Sequence, residues 1–319
     1  MKIGVLTSGG DAPGMNAAIR AVTRAAIANG MEVVGIVRGY NGLVKNRYVP
    51  LQRRDVSDII QRGGTKLKTA RSDEFITLEG MKTAYANMQE QGIDAIIVIG
   101  GDGTFRGAED FYRTCGAKCI GIPGTIDNDL QYTDYTIGFD TASNTVIGAI
   151  NNLRDTMISH DRISIVEVMG RHCGDLALRA GIAGGAEIIL VPEIPCSINK
   201  IVAQIQENRA NGKSSEIIVL AEGFCQAEYL NNEITRQLGV KVWTTRLGHI
   251  QRGGTPSALD RYLAAQFGIR AIELVKAGKF NRVVGIKNNK IIDMDTTKAL
   301  SLKRKFDKKL YKYARQISL

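Results

Sequence analysis

The feature that most constrains the fold is a repeated alternation of strand-like and helix-like segments. Apolar, β-branched runs such as "KIGVLT", "EVVGIV" and "DAIIVIG" alternate with segments of helical periodicity such as residues 15–29. This alternation predicts βαβ units, in which parallel strands form a sheet covered by helices. The pattern resumes with a helical stretch over residues 141–159 and the runs "RISIVEVM", "AEIILVP", "SEIIVLAEG" and "KVWTTRLG". A chain of 319 residues with this pattern is predicted to be an α/β protein with two doubly wound lobes.

Composition excludes several classes of protein. The chain is 44% hydrophobic, and its opening "MKIGVLTSGG" holds an apolar run too short for a signal peptide. No later segment has the roughly 18 unbroken apolar residues of a membrane helix. We therefore expect a soluble, cytoplasmic protein with no membrane partner. The five cysteines are scattered without metal-ligand spacing, which predicts reduced, mostly structural thiols and argues against a zinc site.

The net charge of +10 raises the question of a nucleic-acid partner. Much of the excess lies in residues 303–315, "KRKFDKKLYKYAR", which hold seven Lys or Arg against one Asp. Phe306, Leu310 and Tyr313 recur at i, i+4 and i+7, which predicts an amphipathic helix docked by these three residues with its lysines in water. An RNA-binding arm is the alternative, but the aromatic interleaving of such surfaces is missing. We expect no nucleic-acid partner.

Three glycine-rich turns are predicted to follow strands. They are "SGGDAPG" after "IGVLT", "GGDGT" after "DAIIVI", and "RGGTP" at residues 252–256. Glycine after a strand lets backbone N–H groups approach phosphate oxygens, although a tight βα turn alone also favours glycine. Neither a Walker A sequence nor a Rossmann fingerprint is present: "GKS" at Gly212 has Glu207 where the earlier glycine would stand. The three turns together predict a phosphate cradle of another kind.

A carboxylate cluster follows the apolar run "CIGIP". In "PGTIDND", Thr125, Asp127 and Asp129 occupy alternate positions, and in an extended segment their side chains would point the same way at the carboxyl end of a strand. Asp127 suits the base that accepts the nucleophile's proton, and Asp102 in "GGDGT" suits Mg²⁺. Asp129 would raise its neighbour's proton affinity or help to hold the metal network. A loop turn or a helix cap is the structural alternative.

Cationic and polar residues near predicted strand ends complete a candidate site for phosphoryl transfer. Arginine forks match phosphate oxygens, and a glutamate and a histidine at strand ends suit a polyhydroxylated substrate, although each residue alone is as often structural. The arginines are Arg71, Arg162, Arg171 and Arg252, and the other two residues are Glu222 and His249.

With these motifs the sequence resembles the bacterial ATP-dependent 6-phosphofructokinases over essentially its whole length. The motifs "LTSGGDAPGMNAAIR", "IGGDGT", "PGTIDNDL", "VEVMGRHCGDLAL" and "LGHIQRGGTP" stand in family order and spacing. The resemblance implies transfer of a phosphoryl group from MgATP to fructose 6-phosphate, giving ADP and fructose 1,6-bisphosphate, with no phosphoenzyme. It also implies a homotetramer whose sites are completed across subunits. The implied fold has two three-layer lobes with the active site in the cleft between them. One lobe, residues 1–138 plus 251–300, would bind the nucleotide, and the other, residues 139–250 plus 301–319, the sugar phosphate.

The resemblance also implies residue roles. Asp127 would be the base on the 1-hydroxyl and Asp102 the Mg²⁺ ligand, and the other catalytic residues would be Gly10, Thr125, Asp129 and Arg171. The nucleotide would be bound by Gly10, Tyr40, Arg71, Ser72, Gly101, Asp102, Gly103, Thr104 and Gly107. The sugar phosphate would be bound by Thr125, Asp127, Met169, Gly170, Arg171, Glu222, His249 and Arg252, and by Arg162 of a neighbouring subunit. An effector would be bound by Arg20, Arg24, Arg53, Arg154, Gly185, Glu187 and Lys213.

Two positions bear on the phosphoryl donor. Pyrophosphate-using relatives usually carry Asp where this chain has Gly103 and Lys where it has Gly124. The small residues leave room for the α-phosphate of ATP, so ATP is the expected donor. A pyrophosphate-dependent enzyme and a catalytically silent nucleotide-binding protein are the alternatives.

Other positions depart from the family pattern. Trp243 stands where an arginine usually binds the sugar phosphate, a contact worth roughly 1.5 to 3 kcal/mol, and Arg246 or Lys241 is a candidate to compensate. Ser72 replaces an aromatic residue beside the nucleotide, and Lys66 and Lys68 add positive charge nearby. The effector site has lost cations, with Asn211, Ser214 and Ser215 in their places. Because a site with fewer cations attracts anions less strongly, we expect weak or absent regulation by phosphoenolpyruvate.

Overall fold

The computed structural model describes residues 1–318, which divide into two compact units. The first unit comprises Met1–Thr141 and Arg252–Arg304, and the second comprises Ala142–Gln251 and the C-terminal segment from Lys305. In chain order the strands are β1 (Lys2–Thr7), β2 (Glu32–Ile36), β3 (Tyr48–Pro50), β4 (Ala95–Gly100), β5 (Cys119–Thr125), β6 (Ile137–Gly138), β7 (Ile163–Val168), β8 (Ile188–Leu190), β9 (Glu216–Ala221), β10 (Val242–Arg246), β11 (Arg282–Lys287) and β12 (Lys290–Asp295). The helices are α1 (Met15–Ala28), α2 (Gly39–Val44), α3 (Leu78–Glu90), α4 (Asp102–Cys115), α5 (Phe139–Ser159), α6 (Asp175–Ala183), α7 (Ile198–Ala210), α8 (Ala227–Leu238), α9 (Ala258–Lys276), α10 (Thr296–Ser301) and α11 (Lys308–Ile317).

The first unit is built on a mostly parallel sheet. Its strand order is β12-β11-β5-β4-β1-β2-β3, with β6 paired to β5. Only the β11–β12 and β2–β3 pairs are antiparallel among the described residues. The central strand β4 is buried along its whole length, as expected for a parallel strand with both faces covered. Aromatic residues including Phe75, Phe105 and Phe111 fill the core on one side of this sheet.

The second unit contains a smaller sheet of four parallel strands in the order β10-β7-β9-β8. Its core is formed by branched aliphatic residues from these strands and from α7 and α8, including Ile165, Leu220 and Leu230. The predicted α/β class and the predicted strands are confirmed in both units. The roles predicted for the two lobes stay predictions.

The C-terminal tail forms the predicted helix, but its docking residues differ from those expected. Phe306 precedes α11, and Tyr313 is 47% exposed. The helix instead buries Ala314, and the hydroxyl of Tyr311 donates a hydrogen bond of 3.0 Å to the backbone oxygen of Ile189. The helix begins at Lys308, where the side chain of Asp307 caps the amide of Leu310. Phe306 and Leu310 are half-buried, so of the three predicted docking residues it is Tyr313 that faces solvent.

All five cysteines have free thiols. Over the part of the chain that the structure describes, no helix is long and apolar enough to cross a membrane.

A buried carboxylate ties α9 to the segment that enters α5. Asp260 has no exposed surface, and it accepts hydrogen bonds from the amides of Gly138 and Thr141 and from the hydroxyl of Thr141. Asp260→Ala would leave three buried donors without an acceptor, so we expect the free energy of unfolding to fall by about 3 kcal/mol. Urea denaturation measures this loss. The control is Asp295→Ala, which removes one exposed helix cap and should cost about 1 kcal/mol. Equal losses would show that burial of Asp260 is unimportant.

Candidate active site

Two glycine-rich turns lie side by side at the carboxyl edge of the first sheet. "SGGDAPG" follows β1 and "GGDGT" follows β4, and these strands are parallel neighbours. The amide of Ser8 donates to the oxygen of Ile99 at 3.0 Å, and the hydroxyl of Thr104 donates to the oxygen of Ser8 at 3.1 Å. The two turns are therefore joined by hydrogen bonds into one surface.

Glycine is required where this surface makes its closest contacts. A Cβ atom at Gly100 would lie 2.5 Å from the backbone oxygen of Ser8, whereas at Gly10 the nearest group is the flexible end of the Arg252 side chain. Gly9 has φ of +82°, in the left-handed region that favours glycine. The first turn consequently holds Arg252 against its backbone, where the side chain donates a hydrogen bond of 3.4 Å to the oxygen of Asp11.

Helix α4 begins at Asp102, immediately after the glycines of the second turn. The unpaired amides of a helix N-terminus carry partial positive charge and favour anions. The carboxylate of Asp102 pairs with Arg106 one turn later at 2.6 Å, and it is 40% exposed. The N-terminus of α4 therefore combines amides suited to phosphate with an accessible carboxylate suited to a hard cation.

The turns open into a cavity of about 560 Å³, a size typical of small-molecule sites. All nine predicted nucleotide-binding residues line it: Gly10, Tyr40, Arg71, Ser72, Gly101, Asp102, Gly103, Thr104 and Gly107. Tyr40 forms part of the wall, since its ring stacks on Phe75 at 4.2 Å and its hydroxyl donates to the oxygen of Thr104 at 2.6 Å. Among the described residues, neither Lys66 nor Lys68 belongs to the lining.

An apolar part of the cavity wall was missed by sequence reasoning. It consists of Phe75, Ile76 and Met81, and the side chain of Ile76 is 72% exposed. An exposed branched aliphatic residue in a cavity provides a surface for the flat face of a ring. The segment before α3 has no helical or strand periodicity, so the sequence offered no pattern that could identify this wall.

The carboxylate cluster lies at the end of β5, but the backbone is not extended there. Asn128 has φ of +50°, and the amide of Asp127 donates to the hydroxyl of Thr125 at 3.2 Å. The side-chain oxygen of Asn128 accepts from the amide of Thr136 at 3.1 Å, which holds the turn. The prediction that residues 125–129 form an extended segment, with alternate side chains pointing the same way, is therefore wrong. Thr125, Asp127 and Asp129 nevertheless all line the cavity.

Asp129 is the electrostatically unusual member of the cluster. Burial, with smaller contributions from the charges of Asp127 and Asp102, raises the pKa of Asp129 to about 6. Its Oδ1 atom is buried and has no hydrogen-bond partner among the described residues. The negative charge of Asp127 is one of the causes of this raised pKa, as expected for neighbouring carboxylates.

This pKa makes stability depend on pH. The folded state binds the proton of Asp129 more tightly than the unfolded state does. The stabilisation that this proton gives to the folded state is therefore lost as pH rises from about 4 to about 6. We expect Asp129→Asn to be more stable than the wild type by about 2 kcal/mol at neutral pH and equally stable near pH 4. Urea denaturation across this range tests the prediction. A constant difference between the two proteins would contradict it.

In the second unit, the predicted sugar-phosphate residues gather at the carboxyl edge of the four-stranded sheet. Met169, Gly170 and Arg171 follow β7, Glu222 follows β9, and His249 follows β10 within a 3-10 turn. The three strands are neighbours. The amide of Met169 donates to the side-chain oxygen of Gln251 at 3.2 Å. The turn Gly248–Arg252 separates β10 from "RGGTP", so this third glycine-rich turn does not directly follow a strand as predicted.

Other predicted residues have charged partners. Four of the predicted effector residues in the second unit lie together: Arg154, Gly185, Glu187 and Lys213. Glu187 pairs with Arg154 at 3.0 Å and with Lys213 at 3.2 Å, and Arg154 donates to the oxygen of Gly185 at 2.5 Å. In the first unit, Arg20 and Arg24 are one turn apart on α1, while Arg53 is exposed after β3.

Arg246 pairs with both Glu167 and Glu228, which leaves it poorly suited to compensate for the arginine missing at Trp243.

Comparison with known proteins agrees with this arrangement. The profile described as "Phosphofructokinase" matches residues 2–275. The chain belongs to the phosphofructokinase family. It is 56% identical over 317 residues to the ATP-dependent 6-phosphofructokinase of Clostridium tetani, with 99% of each chain covered. It is 55% identical over 317 residues to ATP-dependent 6-phosphofructokinase 1 of Clostridium perfringens, again with 99% of each covered.

Solved structures of phosphofructokinases share the fold. The phosphofructokinase of Saccharomyces cerevisiae superposes with a TM-score of 0.89 at 35% identity over 99% of this chain. This chain spans 48% of the length of the yeast chain. A pyrophosphate-dependent phosphofructokinase from Marinobacter aquaeolei superposes with a TM-score of 0.87 over 99% of this chain and 91% of its own. At 22% identity, this second likeness shows the fold alone.

Proposed function

We propose that the chain transfers the γ-phosphoryl group of ATP to the 1-hydroxyl of fructose 6-phosphate, giving ADP and fructose 1,6-bisphosphate. The observation that carries the proposal is the cavity of the first unit, where two phosphate-type turns meet Asp102 and Asp127. Identity of 56% over the full length of an ATP-dependent 6-phosphofructokinase supports the same reaction. The expected cytoplasmic location stays a prediction.

Each part of the cavity has a role in the proposed transfer. The amides of the two turns and the guanidinium group of Arg71 bind phosphate oxygens of the nucleotide, and the guanidinium group of Arg252 binds the sugar phosphate. Asp127 accepts the proton of the 1-hydroxyl as the oxygen attacks phosphorus. The buried Asp129 raises the proton affinity of Asp127 by like-charge repulsion. Positioning and electrostatic stabilisation suffice for a loose phosphoryl transition state, so we propose direct in-line transfer with no phosphoenzyme.

The donor atoms of the cavity fit Mg²⁺ bound together with a nucleotide. Among residues 1–318, no three His, Cys, Asp or Glu side chains form a group that could hold a metal ion alone. Mg²⁺ usually binds through one or two carboxylates together with substrate phosphates and waters. Asp102 beside the phosphate-type turns supplies such a carboxylate, and the unpaired Oδ1 of Asp129 is a further acceptor in the cavity wall. When bound, Mg²⁺ supplies charge neutralisation on the β- and γ-phosphates.

The remaining predicted residues would bind the sugar phosphate. We propose this role for Met169, Gly170, Glu222 and His249, with Arg171 at the transferring phosphoryl group. Their shared position at the carboxyl edge of a parallel sheet supports the assignment, because open α/β sheets bind ligands there.

We also propose the homotetramer implied by the resemblance, with Arg162 acting on a neighbouring subunit. Arg162 and Met169 stand at opposite ends of β7, roughly 20 Å apart at about 3.3 Å per residue. Arg162 therefore cannot bind the same sugar phosphate as Met169 within one chain.

Regulation by phosphoenolpyruvate is expected to be weak. Arg154 and Lys213 are already paired with Glu187, and the positions of Asn211, Ser214 and Ser215 supply no cation. We expect saturating phosphoenolpyruvate to change the KM for fructose 6-phosphate by less than about fivefold, the lower end of typical allosteric coupling. Steady-state kinetics with and without the compound measures this. Strong inhibition that ADP relieves would contradict it.

Product analysis tests the proposed reaction. ³¹P NMR of a mixture of fructose 6-phosphate, MgATP and the protein should show fructose 1,6-bisphosphate and ADP accumulating in equal amounts. ADP with inorganic phosphate instead of the bisphosphate would indicate an ATPase. Unchanged spectra with folded protein would favour a nucleotide-binding protein without catalytic activity.

A further inference from the structure

The carboxylate of Asp102, the proposed Mg²⁺ ligand, is already bound by a cation from its own helix. The Nε atom of Arg106 donates to Oδ2 of Asp102 at 2.6 Å, and the Nη2 atom donates to Oδ1 at 3.3 Å. Both carboxylate oxygens therefore accept hydrogen bonds from one guanidinium, which is the geometry of strong arginine–carboxylate pairs. Both residues line the nucleotide cavity, so the pair lies where the metal is proposed to bind.

A second carboxylate stands one turn further along α4. Asp110 follows Arg106 by four residues, just as Arg106 follows Asp102, and side chains at this spacing are neighbours on the surface of a helix. Asp110 is exposed and lines the same cavity, and the described residues include no ion pair to it. Its charge already acts on Arg106, because the hydrogen bond and the charge of Asp102, and more weakly the charge of Asp110, raise the pKa of the guanidinium.

The position of Arg106 allows its side chain to change partner. The side chain is 59% exposed, and both of the hydrogen bonds described above go to Asp102. Exposed ion pairs between residues four apart on a helix are weak, so a competing cation at Asp102 can release the arginine. A released guanidinium that pairs with Asp110 keeps its charge balanced and stays beside the cavity.

We propose that Arg106 is a positioning residue, which holds the carboxylate of Asp102 in the nucleotide-free protein and moves to Asp110 when Asp102 binds the metal of MgATP. The inference rests on the proposed function, because it takes Asp102 as the Mg²⁺ ligand. Before the metal binds, the arginine balances a negative charge that would otherwise repel the phosphates of the nucleotide.

The proposal has a consequence for two forms of the nucleotide. Binding of metal-free ATP leaves the pair between Arg106 and Asp102 closed, whereas binding of MgATP opens it. Arg106 therefore lowers the preference for MgATP, and Asp110 restores part of that preference by accepting the released arginine. The preference is measured as the ratio of the Kd for ATP in EDTA to the Kd for MgATP. Isothermal titration calorimetry of the full-length protein, at constant ionic strength and without fructose 6-phosphate, gives both values.

A double-mutant cycle separates this exchange from the general effect of charge on ATP. Arg106→Gln should raise the ratio about fivefold and Asp110→Asn should lower it about threefold, as expected for exposed ion pairs. A general effect of charge would be additive, so Asp110→Asn would then lower the ratio equally with Arg106 or Gln at position 106. In the proposed exchange Asp110 acts only through the arginine, so the double variant should have the same ratio as Arg106→Gln.

Arg113→Gln is the matched control. Arg113 pairs with Glu109 at 2.6 Å, on the same helix and at the same spacing, and it is not among the described residues that line the cavity. This variant should keep the wild-type ratio, and circular dichroism confirms that each variant is folded.

Three outcomes decide the matter. The inference is overturned if Arg106→Gln keeps the wild-type ratio, or if Asp110→Asn lowers the ratio equally in both backgrounds, while the wild type still prefers MgATP. Agreement of the double variant with Arg106→Gln supports it. A folded wild type that binds neither form of ATP would contradict the proposed function itself, and this inference with it.

Discussion

Replacing Asp127 with asparagine is expected to lower kcat by about 10²- to 10⁴-fold, the usual contribution of a general base. Asparagine keeps the size and the hydrogen-bonding capacity of the side chain but cannot take a proton from the 1-hydroxyl. The KM for ATP should change little, because the turns that bind phosphate are formed by other residues. Initial rates of fructose 1,6-bisphosphate formation measure the effect.

A matched control separates loss of the base from loss of charge in the cavity. Asp73 is an exposed carboxylate in the lining of the same cavity, and Asp73→Asn should leave kcat within about twofold of the wild type. A kcat for Asp127→Asn within tenfold of the wild type would mean that another group accepts the proton.

Replacing Gly103 with aspartate is expected to lower kcat/KM for MgATP by about 10²- to 10³-fold. The space beside Gly103 is open, because no atom lies within 4 Å of the position a Cβ would take, so a side chain fits into the cavity. A carboxylate there would lie near the phosphates of the bound nucleotide. Two like charges about 4 Å apart near a protein surface repel by about 4 kcal/mol.

Gly103→Asn is the matched control, since it adds nearly the same volume without charge. We expect it to lower kcat/KM much less than Gly103→Asp. Equal losses would show that volume alone matters, and no loss in either variant would mean that the phosphates bind elsewhere. The same measurements test whether the absence of charge or the absence of volume at Gly103 is what suits this position to ATP.

The sequence was sufficient to predict the elements that have strong periodicity. The fully apolar β4 and the glycines that follow it predicted a buried strand that leads into a helix at Asp102, and the structure has both. The sequence also predicted correctly that Thr125, Asp127 and Asp129 lie in one site. The extended backbone on which that prediction rested is absent from the structure. A left-handed residue such as Asn128 interrupts an extended segment, and nothing in the apolar pattern indicated it.

Features that depend on tertiary contacts could not be predicted. The close contact of Arg252 with Gly10 joins residues that are far apart in the chain, so no local pattern encodes it. The partners of Arg246 are Glu167 and Glu228, on other elements, which removed it as a replacement for the missing arginine. The raised pKa of Asp129 depends on burial, which a single sequence does not specify for a loop residue.

The most direct test of the account compares two phosphoryl donors in one assay. Formation of fructose 1,6-bisphosphate is followed by a coupled assay across a range of fructose 6-phosphate concentrations, with either MgATP or magnesium pyrophosphate. The account predicts turnover with MgATP and negligible turnover with pyrophosphate, with a hyperbolic dependence on fructose 6-phosphate. Turnover that requires pyrophosphate, or no turnover with either donor in a folded protein, would contradict it.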